Sequence, residues 1–275
     1  MKTLSGAAAP EKSEDDLSIY IETLRTKLAE NDDPHLPYTP YLRAVHSGSR
    51  GYAQRVPGSL TNRLHDFLSR HEFHIFLMFD WRKNEFRNIR EQFSVPLGLT
   101  KALVRRRGGK PHHPWNRFEK KDAVMTVDFL LSKNSGGWTA VDVKETRELR
   151  SKRTKFKLDL MAETLAQVDV PHVVMTQDDI PRQVIRNYRF IRILSLPFDP
   201  PPIQMGEIER AEQVLRPLLL NGRTPIFDAA LTASKDLGTE ASRLARACYW
   251  LVANRWWTVD FNYPIGPDYP LFFTN

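Results

Sequence analysis

Asp128, Asp142 and Lys144 are the residues of this chain whose types and spacing could do chemistry. Asp128 interrupts the apolar run VMTVDFLL, and Asp142-Val143-Lys144 closes the run WTAVDVK. Both runs have strand composition, and Asn134-Ser135-Gly136-Gly137 between them is a turn, so residues 124–144 predict a β-hairpin. Side chains alternate across a strand, which puts Asp142 and Lys144 on one face and Val141 and Val143 on the other. Pairing about the turn would bring Asp128 toward Asp142. Two close carboxylates raise each other's pKa and resist joint ionisation, a difficulty that a divalent cation removes. Hard oxygen ligands suit Mg²⁺, with Mn²⁺ able to substitute. A lysine beside such a centre could orient a water or stabilise charge growing on a phosphate. The same three residues also fit a solvated strand face or a cross-strand ion pair.

The elements that would position this group lie on both sides of it. Ser69-Arg70-His71-Glu72 has the form of a helix-initiating capping box, and the apolar run after it predicts a helix over 69–81. Glu72 shares a helix face with Ile75, Phe76 and Phe79. An acid on that face is either a local cap or a metal ligand reaching toward Asp128. His71 and His74 on the same helix imitate a zinc pair but lack a carboxylate at suitable spacing. Residues 84–93 predict a strand. Segment 101–121 then reads as a loop-like basic stretch, with eight lysines or arginines against Glu119 alone. Its Arg105, Arg106, Arg107 and Lys110, with His112, His113 and Trp115 interleaved, suit phosphate contacts; a solvated surface loop is the other reading. Arg147, Arg150, Lys152 and Arg153 form a second basic segment, leading into a helix through Leu158, Met161, Leu165 and Val168. PHVVMT (171–176) reads as a buried strand and 181–193 as a helix. The order helix, strand, strand, strand, helix, strand gives an α/β fold, a mixed sheet flanked by helices.

With 275 residues, 41% hydrophobic and 27% charged, the chain has material for one large or two ordinary domains. Its 40 basic against 33 acidic residues, a net charge of +7, favour a polyanionic partner. No apolar run approaches the ~18 residues needed to span a bilayer, and no signal-peptide core is present, so the expectation is a cytoplasmic protein. Cys248, the single cysteine, excludes an internal disulfide and sits among apolar neighbours as a packed thiol. Residues 1–34 form an acidic leader, disordered to about residue 12, then an amphipathic helix capped by Ser13 and carrying Leu17, Ile21, Leu24 and Leu28. That helix could dock a partner or pack on its own domain. Residues 35–196 hold the hairpin, Pro197 and Pro200–Pro202 make a stiff linker, and 203–275 form a second domain. Helices near 205–220, 225–236 and 239–254, followed by strands at 256–261 and 271–273, give it a winged-helix-like pattern.

The spacing D-x13-D-x-K resembles the PD-(D/E)xK nuclease core. With Glu72 included, the chain resembles the TnsA family, the endonuclease subunits of the heteromeric transposases of Tn-seven-like transposons. The stretches that carry the likeness are LHDFLSRHEFHIFLMFDW, NIREQF, MTVDFLL and VDVK, within residues 38–195. The resemblance implies a restriction-endonuclease-like fold, with Glu72, Asp128 and Asp142 as metal ligands, the backbone carbonyl of Val143 as a further one, and Lys144 beside the attacking water. It also implies an activity, the cutting of the non-transferred strand at the 5′ transposon ends in cut-and-paste transposition. The implied partners are duplex DNA at those ends, a DDE-type (TnsB-like) transposase subunit and an AAA+ (TnsC-like) ATPase, with the protein nucleoid-associated during transposition. An autonomous restriction- or resolvase-type nuclease and a non-catalytic DNA-bridging subunit are the alternatives to that reading.

Overall fold

The structure is a computed structural model and describes residues 14–46, 53–109, 112–116, 118–195 and 204–274. Lys110, Arg117, Ser13, the first dozen residues and the prolines of the linker lie outside the described residues. In chain order the elements are α1 (Glu14–Glu30), β1 (Gln54–Pro57), β2 (Leu64–Phe67), α2 (Arg70–Trp81), β3 (Phe86–Ser94) and α3 (Leu97–Arg106). There follow β4 (Trp115–Asn116), β5 (Lys121–Asp122), β6 (Thr126–Lys133), β7 (Trp138–Val143), α4 (Lys152–Ala166) and β8 (His172–Met175). The chain closes with α5 (Arg182–Ile191), α6 (Met205–Leu219), α7 (Ile226–Leu237) and α8 (Ala241–Ala253). These elements divide into two compact units, residues up to 43 with 88–175, and 44–87 with the chain from Thr176 on.

The first unit is built on a four-stranded mixed sheet in the order β3-β6-β7-β8. β6 and β7 pair antiparallel and β7 and β8 parallel, as expected of a hairpin followed by a helical crossover through α4. The hairpin turn depends on Gly136 and Gly137, whose φ values of 90° and 77° are open to glycine and strained for other residues. β6 is buried along nearly its whole length, which explains its continuous rather than alternating apolar composition. One core cluster joins Leu24 and Leu28 of α1, Leu99 and Leu103 of α3, Val127 and Leu130 of β6, and Leu160 and Leu165 of α4. The leader helix thus packs on its own unit. α1 and α3 approach closely at Gly98, where a Cβ would overlap the Tyr20 ring. Arg90, fully buried, locks the exit of α1 in place: it donates to the carbonyls of Asn31 and Asp33 at 3.2 and 2.5 Å and stacks on Tyr38.

Two expectations for this unit need correction. The segment 101–121 is not loop throughout, because Leu99, Ala102 and Leu103 recur at helical spacing, bury one face and draw residues 97–106 into α3. Arg105 and Arg106 fall in its last turn, where cations complement the carbonyl end of the helix. The strand after α4 is half-buried rather than buried; β8 is the edge of the sheet, and Val173 is 43% exposed.

The second unit holds β1 and β2, an antiparallel pair, α2, and helices α5–α8. Its core is the face-to-face packing of α6, α7 and α8, rich in Ala and Leu, joined by Ile191 of α5 and by Trp257 and Leu271. Asn187 of α5 pins the loop beyond α8: its Nδ2 donates to the Phe261 and Tyr263 carbonyls and its Oδ1 accepts from Ile265 N–H. The expected C-terminal hairpin reduces to one antiparallel bridge, Val259 with Phe273. Pro264, Pro267 and Pro270 remove the N–H donors that a longer ladder would need. Cys248 is fully buried in α8, and burial pushes its thiol up to about 12. Alkylation of the native protein is therefore expected only through opening of this unit, populated in fewer than about one molecule in a thousand. Mass-spectrometric labelling in native buffer against denaturant checks this; equal rates would show that the α8 core is loose.

Candidate functional site

The site is built on the β6–β7 pair. Its register, Phe129 opposite Val141, continues one step to set Asp128 across from Asp142. Both aspartates are buried, 9% and 5% exposed, so their charges need partners inside the protein. Lys144 supplies the main one. Its Nζ donates to Asp128 Oδ2 at 3.0 Å, to Asp142 Oδ1 at 3.2 Å and to the Val143 carbonyl at 2.9 Å. Three oxygens thus converge on one cationic nitrogen. Asp128 Oδ2 also accepts from Val143 N–H at 2.7 Å.

The two carboxyl groups are pushed in opposite directions. Burial lifts Asp128 above the ordinary carboxylate range, outweighing the nearby Lys144 ammonium, and the Asp142 charge adds to the rise. Asp142 is also penalised by burial, but the His172 hydrogen bond and then the Lys144 ammonium prevail and hold it below that range. Lys144 itself is raised, because the attraction of both aspartates exceeds its own desolvation. Such a pair titrates as a unit. Carboxylates driven apart by their surroundings are the pattern in which one group stays ionised while its neighbour is ready to exchange a proton or a cation.

Two residues that sequence reasoning passed over complete this arrangement. His172 Nε2 lies 2.8 Å from Asp142 Oδ2. Because β8 runs parallel to β7 with His172 opposite Ala140, its ring is the diagonal neighbour of Asp142 on the same face, within reach of a long side chain. Gln92 donates from Nε2 to Asp128 Oδ1 at 3.2 Å and accepts from Thr126 Oγ1. It does so from an unusual backbone, φ 49°, near the end of β3. A non-glycine residue held there is strained, and strain of that kind gathers at functional sites. The only sequence signals for these two were a polar residue in NIREQF and a histidine opening an apolar strand.

Glu72 belongs to the second unit. Ser69 Oγ accepts from Glu72 N–H at 3.2 Å, as a capping box requires, while Glu72 Oε2 accepts from Leu68 N–H rather than from Ser69. The acid is buried, so its local role at the head of α2 is established by these bonds. Of the basic candidates, Arg105 and Arg106 are exposed on α3. Arg107 is tied to α4, paired with Glu163 and donating to the Asp159 carbonyl. Arg147 pairs with Glu145, and Arg150 lies in a short exposed turn before α4. Lys152 and Arg153 occupy the first turn of α4, against the helix dipole and with no acid to offset them. That local cost has a use if an anion binds there. Lys157 on the same helix is lowered first by burial and then by Arg153 and Lys144, so the cations of α4 share a field with the aspartate pair.

Among the described residues no group of three or more His, Cys, Asp and Glu side chains is arranged to hold a metal ion. The donor set at β6–β7 is of another kind, two carboxylates and a carbonyl around a point already held by an ammonium. That set fits Mg²⁺, which keeps several waters and takes few protein oxygens. No helix among the described residues is long and apolar enough to cross a membrane.

No protein-family model matches the chain. Over 156 residues, 56% of its length, it is 31% identical to the Escherichia coli protein described as "Transposon Tn7 transposition protein TnsA". The matched region spans 55% of that relative, so the chain covers about half the length of the curated protein it resembles.

Proposed function

We propose that this protein is a Mg²⁺-dependent DNA endonuclease subunit of a heteromeric transposase, cutting the non-transferred strand at the 5′ ends of a transposon. The observation that carries the reading is the convergence of Asp128, Asp142 and the Val143 carbonyl on Lys144 Nζ, on the hairpin predicted from the D-x13-D-x-K spacing. The likeness to the Tn7 protein supplies the transposition context. Asp128, Asp142 and the Val143 carbonyl are the proposed ligands on this hairpin; Glu72 is carried as a further acidic ligand on the strength of the resemblance.

In this reading Gln92 fixes one oxygen of Asp128 and His172 fixes one oxygen of Asp142, leaving the inner oxygens to a cation. A bound Mg²⁺ would supply charge neutralisation at the phosphodiester and a more acidic water. Lys144, on its flexible four-carbon stem, is the group available to hold the attacking water or a phosphate oxygen. Arg105, Arg106, Arg107, Lys110, Arg147, Arg150, Lys152 and Arg153 are proposed to hold the DNA backbone. The proposed partners are a TnsB-like DDE transposase subunit and a TnsC-like AAA+ ATPase. The 203–275 segment is carried as a winged-helix-like domain on the order of its helices.

Strand-specific cleavage of a labelled transposon-end duplex with Mg²⁺, with and without the neighbouring transposase subunit, tests the reading. Partner-dependent cutting of one strand at the 5′ end supports it. Partner-independent cutting would indicate an autonomous nuclease, and metal-independent binding without cutting a DNA-bridging protein. His172→Ala is expected to raise the Mg²⁺ concentration for half-maximal cutting by about 10- to 100-fold, the usual loss when a ligand's supporting hydrogen bond is removed. An unchanged Mg²⁺ titration would leave His172 a merely structural partner.

A further inference from the structure

The second unit holds a cavity of about 870 Å³ between the head of α2 and the outer face of α5. Arg70 and His74 enter it from α2, and Arg182, Arg186 and Arg189 from α5. The α5 arginines stand at i, i+4 and i+7, one row along a helix whose other face is fixed by Ile185, Asn187 and Ile191. Among the described residues none of Arg182, Arg186 and Arg189 forms an ion pair, and Asp178 is the one acid on the rim. His74 Nε2 is buried with no hydrogen-bond partner. An unneutralised row of arginines around an unpartnered polar atom is costly for a fold and useful for an anion.

We propose that this cavity is a second DNA-binding site, taking successive phosphates of one strand on the α5 arginine row. Arginine rather than lysine throughout fits forked recognition of phosphate oxygens. A row of seven residues spans roughly 10 Å at 1.5 Å per residue. Phosphates advance about 3.4 Å per nucleotide along the duplex axis, so the row matches about three of them. The site uses none of the residues of the basic segments around α3 and α4, and it explains histidines at 71 and 74 without a metal. It rests on the nuclease reading only in the choice of DNA as the polyanion.

The test is binding of a 30-base-pair fluorescent duplex to the full chain without divalent metal, from 50 to 200 mM KCl, for wild type and Arg186→Ala/Arg189→Ala. Both side chains are exposed, and circular dichroism is the check that the variant folds. The double variant is expected to lose about tenfold or more in affinity at 100 mM salt, and its log–log salt slope to shrink by about 2, close to one unit per phosphate contact. An unchanged Kd and slope would overturn the site while Mg²⁺-dependent cutting by wild type left the nuclease reading standing. The expected loss of binding in a protein that never cuts would do the reverse. A wild type that binds no duplex on its own overturns the site and leaves the nuclease reading to the partner-dependent cutting assay. Poly-glutamate binding lost in the variant, with duplex binding unaffected, would assign the cavity to an acidic protein instead.

Discussion

Asp128→Ala is expected to lower Mg²⁺-dependent strand cutting on the order of a thousandfold or more, about 4 kcal/mol of transition-state stabilisation, while the protein still unfolds cooperatively. The loss follows if Asp128, one of the two carboxylates that converge on Lys144 Nζ, holds the cation there. The retained fold follows from electrostatics. Burial raises the Asp128 pKa, so at neutral pH its ionised form costs the folded state some stability, and removing it leaves Lys144 paired with Asp142. The sign is open to measurement. An acid whose folded pKa is raised adds stability at acid pH and loses that contribution as pH rises from 3.8 through the folded pKa. The variant should therefore gain on wild type as the pH is raised across that window, in urea midpoints taken from pH 4 upward. Asp142 has the opposite sign: its depressed pKa adds stability above 3.8 that is lost on acidification. Cutting retained by Asp128→Ala in the presence of the partner would sink the proposed centre.

What could be read in the sequence was local. The hairpin was legible because strand-forming runs flank Asn134-Ser135-Gly136-Gly137, and the start of α2 because Ser69 and Glu72 stand three apart. The three C-terminal helices were legible from apolar spacing. α3 was missed because Pro96 offers no side-chain cap and the arginines at its end resembled a loop, although Leu99, Ala102 and Leu103 carried the helical period. The positioning residues of the site could not be read locally at all. His172 reaches Asp142 only through the parallel β7–β8 pairing across α4, and Gln92 reaches Asp128 only through a left-handed backbone near the end of β3. Acids and a lysine announce a centre by their spacing, whereas the neutral groups that aim them are brought in by tertiary pairing. The functional expectations that came from resemblance reach beyond the residues: no spacing in the chain names a transposase or an ATPase.

Lys144→Met should abolish cutting and, without metal, lower the stability of the protein by about 3 kcal/mol. The methionine matches the lysine stem in size, so what is lost is the ammonium that neutralises two buried carboxylates. At roughly 2–4 °C per kcal/mol for a chain of this size, the melting temperature falls on the order of 10 °C. The pKa of Lys144 is raised above 10.5, so its contribution is fully present at any pH below that value and lost only as pH climbs through the folded pKa. Without the ammonium both aspartates are also pushed up, so the deficit should be no smaller at pH 8.5 than at pH 6.5. Mg²⁺ then separates a structural ion pair from a metal centre. In wild type a divalent cation must displace the ammonium from Asp128, Asp142 and the Val143 carbonyl, whereas in the variant that position is open and the carboxylates have lost the ammonium between them. Tighter binding to the folded state raises its stability by RT ln(1 + [Mg²⁺]/Kd), so saturating Mg²⁺ should lift the melting temperature of the variant more than that of wild type. An equal or smaller lift in the variant would mean that the convergence on Lys144 is an ion pair built for the fold alone.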